Sequence, residues 1–183
     1  MRITLLNGEP DPASGFQAYL DELTGALAGA GHGVTRLDLR DLHLAGCSGC
    51  WGCWVKTPGA CVKLDDSARL CQTVLAGDLV LLASPVSLGF TSVLLKRAAD
   101  QMIGLVHPYF VMEGGELHHR PRYARYPDFA LLLAPGPDCD AEDLAISTAL
   151  WLRTARNLKF RPILTAVADR PAQELAHALV AAA

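Results

Sequence analysis

Apolar residues along the chain fall into two alternating patterns: short continuous runs, and longer stretches with helical spacing. Residues 2–7 (RITLLN), 79–84 (LVLLAS) and 129–134 (FALLLA) are continuous runs of strand length. Such runs mark strands covered on both faces, as in a parallel sheet. Between the first two, Phe16, Tyr19, Leu20, Leu23 and Leu27 follow helical spacing, and Gly31 and Gly33 supply the stop. Thr35, Leu37 and Leu39 then alternate with Val34, Arg36 and Asp38, the pattern of a strand with one half-exposed face. Asp65 and Asp66 offer a capping carboxylate to a helix over 67–76. Further helices are expected at about 91–103, 141–158 and 172–180, with a last strand at 163–168. The polar stretch 107–128 reads as a long connection.

Strands joined by helices imply a parallel sheet with right-handed crossovers, hence an α/β three-layer sandwich. The fully apolar strands belong at the centre and the weaker second and fifth at the edges, which predicts the spatial order 2-1-3-4-5. In that order the topological switch lies between strands one and three, and ligands are expected beyond the carboxyl ends there. The loops at 8–15 and 85–91 are therefore the ones to watch.

Composition narrows the class. The chain has 183 residues, 51% hydrophobic and 19% charged, and a mean hydropathy of +0.23, which describes one globular domain over residues 1–183 and excludes disorder. A net charge of −3 leaves no global field for a polyanion, so no nucleic-acid partner is expected. No apolar run approaches the ~18 residues of a membrane span, and no export signal is evident, so no membrane partner and a cytoplasmic location are expected. No nucleophile-elbow motif for hydrolysis is present.

Of six cysteines, four lie within positions 47–61: Cys47, Cys50, Cys53 and Cys61. Clustering of this kind points to metal, cluster or redox use, because bridging cysteines are spread to close long loops. Thiolates spaced by two, two and seven residues can wrap a cubane cluster much as the C-x2-C-x2-C run does. Zinc and unliganded thiols are the alternatives. Trp51 and Trp54 between the thiols read as packing residues, and Cys71 and Cys139 as small buried apolar residues.

Ser84-Pro85-Val86 at a strand end, Gly89, and then Leu95-Lys96 and Ala99-Asp100 on the next helix resemble the NADPH-dependent FMN reductase family, which has the flavodoxin-like fold. The segment CSGCWGCWVKTPGACVKLDD is similar to the cysteine motif of the iron–sulfur flavoprotein branch. With HPYF, HHRPRY and YPDF, the resemblance covers nearly the whole chain. It implies an oxidoreductase that passes electrons from NAD(P)H through FMN to a small-molecule or protein acceptor, by way of a 4Fe-4S cluster at the four thiols if one is present. It implies isoalloxazine on Pro85, Val86, Ser87, Leu88, Gly89 and Phe90, phosphate at Ser14, Gly15 and Phe16, no catalytic acid or base, and assembly as a homodimer or homotetramer.

The chain departs from that pattern at the phosphate loop. Relatives commonly read Gly-Ser-Pro-Arg followed by Ser-Asn-Thr, where this chain has Gly8-Glu9-Pro10-Asp11 and Ser14-Gly15-Phe16. A carboxylate about 5 Å from a phosphate costs roughly 1–3 kcal/mol. Either Glu9 and Asp11 are solvated loop residues near a helix start, or the ligand has changed. Loss of FMN would leave a non-enzymatic binding module of the same fold. The run His118–Arg125 (HHRPRYAR) offers an arginine fork for a 2′-phosphate, or a solvated face.

Overall fold

The computed structural model describes residues 1–183. Five parallel strands form the central sheet: β1 (Arg2–Asn7), β2 (Gly33–Asp38), β3 (Leu79–Ser87), β7 (Asp128–Pro135) and β8 (Arg161–Val167). Their order is β2-β1-β3-β7-β8, the 2-1-3-4-5 order expected of a flavodoxin-like sheet. The longest strand, β3, is central because it pairs in parallel with β1 on one side and β7 on the other. Its residues Leu79–Ser84 are all buried, since helices cover both faces.

Helices α1 (Gly15–Gly29) and α6 (Ala172–Ala182) cover one face. Leu20, Leu23 and Leu27 of α1 meet Ile3, Leu5, Leu81 and Leu132 there. The other face carries α3 (Ser67–Ala76), α4 (Val93–Gln101) and α5 (Ala141–Asn157), with Leu70, Val74, Leu95 and Trp151 packed on Leu6, Val80, Leu82 and Leu131. Alternate residues of β1 and β3 thus serve opposite layers. The capping expected before α3 comes from Asp65, whose Oδ1 accepts from the Ser67 N–H at 3.0 Å, while its Oδ2 and the Asp66 carboxylate anchor the backbone of Ala45 and His43. No helix is long and apolar enough to cross a membrane.

Two expectations change. The stretch taken as a connection holds an antiparallel hairpin, β5 (Val106–Glu113) and β6 (Glu116–Pro121). Its turn is Gly114-Gly115, both at positive φ (58° and 82°), the two-residue type I′ signal that favours glycine. The strand after the switch point also runs on to Ser87 and folds back as β4 (Phe90–Thr91), so 85–91 is a tight hairpin and not an open loop. A short helix, α2 (Gly52–Val55), lies inside the cysteine segment.

Candidate functional site

At the carboxyl end of β1 the buried Asn7 organises the first loop. Its Nδ2 donates to Gln17 Oε1 at 2.9 Å and to Asp38 Oδ1 at 2.5 Å, and its Oδ1 accepts from the Glu9 N–H at 2.9 Å. Arg40 donates to Gln17 Oε1 and to the Glu9 carbonyl. Burial raises the Asp38 pKa, but hydrogen bonds from Arg36 and Asn7 outweigh it and hold the carboxyl below its usual range. None of these partners adjoins another in sequence, so pattern reading missed the network.

Of the two acids of the loop, Glu9 is buried and Asp11 is exposed. Glu9 is 5% exposed, and its Oε1 accepts from the Asp11 N–H at 2.8 Å. Asp11 Oδ1 accepts from the Ala13 N–H at 2.9 Å. Ser14 caps α1 by accepting from the Gln17 N–H, and its own N–H donates to the Asp11 carbonyl. Glu9 is therefore not a solvated residue. Pro10 and Pro12 have no N–H to offer, which leaves Gly15 and Phe16 as the only two residues of 9–17 whose N–H groups make no internal bond.

The β3–β4 hairpin lies beside this loop. Gly8 donates to the Ala83 carbonyl at 2.8 Å, and an added Cβ there would come within 2.9 Å of Ser92 Oγ and 3.1 Å of Leu95 Cβ, so glycine lets the first loop approach the start of α4. The structure thus brings Ser14, Gly15 and Phe16 to the same end of the sheet as Pro85, Val86, Ser87, Leu88, Gly89 and Phe90. Leu88 (φ 51°) and Gly89 (φ 77°) form the hairpin tip. The Leu88 N–H donates to Asp138 Oδ2 at 2.6 Å, and Trp151 Nε1 donates to Thr91 Oγ1 at 3.3 Å, bracing the hairpin from α5 and the loop before it. The tip presents Leu88, 91% exposed, and the half-buried Phe90 as an apolar platform. For a flavin, the ring end fits this platform. The phosphate end does not fit, because carboxylates of the chain already hold the Asp11 and Ala13 N–H groups.

The four clustered cysteines line a cavity of about 490 Å³, together with Trp54, Lys63, Lys96 and Trp151. No three Cys, His, Asp or Glu side chains converge closely enough to hold one metal ion. The Gly52 N–H is the main cause of a lowered Cys50 pKa, with Ser48 and the Lys63 charge adding to it. Burial raises that of Cys53, and the neighbouring Cys47, Cys61 and Cys50 add to the rise. Cys61 Sγ accepts from the Lys63 N–H at 3.4 Å. Lys96, Ala99, Asp100 and Gln101 of α4 and Leu150, Trp151, Thr154 and Asn157 of α5 line the cavity. Trp151 links it to the hairpin, since the same side chain donates to Thr91 Oγ1. None of the nine expected flavin residues lines it.

The remaining candidates separate. Trp54 is fixed by Nε1–H donation to the Val106 carbonyl at 2.9 Å, while Trp51 stacks on it at 4.9 Å and is 60% exposed, so it packs as a lid and not in the core. Cys71 is buried as expected and its thiol is pushed up to about 12 by burial; Cys139 is only half-buried, beside Asp140. In the run His118–Arg125, Arg122 donates to the Gly104 and Val106 carbonyls and Arg125 pairs with Asp78, while Arg120 is exposed.

The fold recurs among solved structures. An FMN-dependent NADH-azoreductase from Bacillus anthracis str. Ames Ancestor, in complex with FMN, matches with a TM-score of 0.66 at 12% identity over 100% of this chain and 98% of that one. An NAD(P)H:quinone oxidoreductase from Methanothermobacter marburgensis matches with a TM-score of 0.65 at 17% identity over 100% and 97%. No curated protein matches. The family model described as NADPH-dependent FMN reductase matches residues 1–123, through both sheet-end loops, the cysteine segment and the hairpin β5–β6, and the chain belongs to that family.

Proposed function

We propose that this chain is a single-domain NAD(P)H-dependent reductase that holds a flavin ring on the β3–β4 hairpin and passes electrons to a small-molecule or protein acceptor. The supporting observation is that Ser14–Phe16 and Pro85–Phe90 both follow the carboxyl ends of the paired strands β1 and β3, at the switch point where open parallel sheets bind ligands. When bound, the isoalloxazine supplies the hydride-accepting chemistry. The chain supplies position. Asp138 and Trp151 keep the hairpin tip in place, and Leu88 and Phe90 exclude water from one side of a flat ligand. Hydride transfer between nicotinamide and flavin asks no side chain for a proton. Assembly as a homodimer or homotetramer belongs to the same reading. The test is NAD(P)H oxidation by the purified protein with and without added flavin, together with its visible spectrum. Flavin-dependent oxidation is expected. A protein that binds no flavin and oxidises no NAD(P)H would instead be a flavin-free binding module.

For the cysteines we infer a 4Fe-4S cluster. The observation behind this reading is that all four thiols line one cavity, and that two of them accept from backbone N–H groups. Cys47, Cys50, Cys53 and Cys61 would hold the cluster, which supplies one-electron transfer when bound. Changing any one of them to Ser exchanges a soft ligand for a hard one and should lower bound iron in anaerobically prepared protein, whereas Cys71→Ser and Cys139→Ser should not. Wild-type protein without iron or acid-labile sulfide would overturn the cluster.

A further inference from the structure

The first loop is built around carboxylates where a flavin phosphate would need donors. Between residues 9 and 17 the Glu9 N–H is held by Asn7, the Asp11 N–H by Glu9, the Ala13 N–H by Asp11 and the Gln17 N–H by Ser14. Glu9 is buried, with its carboxylate held on the Asp11 N–H. Arg40, the nearest cation, is turned to the Glu9 carbonyl, Gln17 and Asp38. An anion drawn to the first turn of α1 would meet two N–H groups, and two carboxylates against the one guanidinium of Arg40. A neutral hydroxyl carries no charge for those carboxylates to oppose.

We propose that Glu9 and Asp11 set the flavin specificity of this chain, selecting a flavin with an uncharged ribityl tail, riboflavin, over FMN. The inference rests on the flavin-reductase reading above and assigns the tail chemistry of that same site. At separations of about 5–8 Å and an effective dielectric between those of a protein surface and water, each carboxylate opposes a phosphate charge by about tenfold in affinity. A riboflavin hydroxyl carries no charge and escapes that repulsion.

The test is titration of the purified protein with riboflavin and with FMN, read by quenching of flavin fluorescence, alongside NAD(P)H oxidation with each flavin. Riboflavin is expected to bind at least tenfold more tightly than FMN at low salt, with the gap narrowing as salt screens the loop. Asp11→Asn, at an exposed position, and Glu9→Gln, which keeps the side-chain shape, should each tighten FMN by about tenfold and leave riboflavin within about threefold. Unchanged riboflavin binding in the variants shows that the loop has kept its fold. FMN binding as tight as riboflavin in the wild type, or variants that move both flavins equally, would overturn the proposal. Failure of both flavins to bind or support NAD(P)H oxidation would overturn the flavin-reductase reading itself, and this inference with it.

Discussion

Asn7→Ala tests whether the first loop is held from below. The Asn7 side chain makes three hydrogen bonds and is fully buried. Removing it does not orphan every partner: Gln17 Oε1 keeps Arg40, and Asp38 keeps Arg36. The Glu9 N–H, in contrast, loses its acceptor inside the protein. An unsatisfied buried donor costs about 1–3 kcal/mol, and the lost bond to the Asp38 carboxylate adds about 1.5–3 kcal/mol, with incomplete additivity between them. A net loss of about 3 kcal/mol is expected. For a chain of this size that is a fall of about 6–12 °C in Tm. Urea unfolding should show a lower midpoint with an unchanged slope, because the surface exposed on unfolding is the same. A double-mutant cycle with Gln17→Ala should return a coupling of about 1 kcal/mol. A loss below about 1 kcal/mol, or additive single effects, would refute the reasoning by showing that the loop satisfies Glu9 without Asn7.

Asp78 joins the start of β1 to the segment before β7: its carboxyl is held far below the usual carboxylate range by hydrogen bonds from the Arg2 side chain and backbone, and by Arg125. A depressed folded pKa contributes stability above the unfolded value of about 3.9 that is lost as pH falls below it, so Asp78→Asn should be less stable than wild type at pH 7 and the gap should narrow between about pH 4 and pH 2 in a denaturation series. A gap independent of pH would refute the pairing. In metal-free protein, Cys50, exposed and with a lowered pKa, should react with iodoacetamide at pH 7.5 well over tenfold faster than Cys71, whose thiol is buried and pushed up to about 12, as read by peptide mass spectrometry. Comparable rates would contradict the burial of Cys71.

The sequence by itself determined the sheet. Apolar runs such as LVLLAS bury residues on both faces wherever they occur, so hydrophobic pattern alone sorted central strands from edges, and with them the switch point. The cysteine cluster was equally plain, since thiol spacing is local. The hairpin β5–β6 was legible only through Gly114-Gly115, because a small exposed hairpin carries no strong hydrophobic alternation: Tyr109, Phe110, Met112 and Leu117 all face solvent. Tertiary structure alone decided which way Glu9 points, that Arg40 serves Gln17 and the loop carbonyl, and that Asp138 closes on the Leu88 N–H fifty positions away. It also decided that the thiol cavity is closed by α4 and α5, and that Trp151 is shared between that cavity and the hairpin. Burial pattern is a property of each segment, whereas the partner of a polar side chain depends on which distant segments the completed sheet brings beside it.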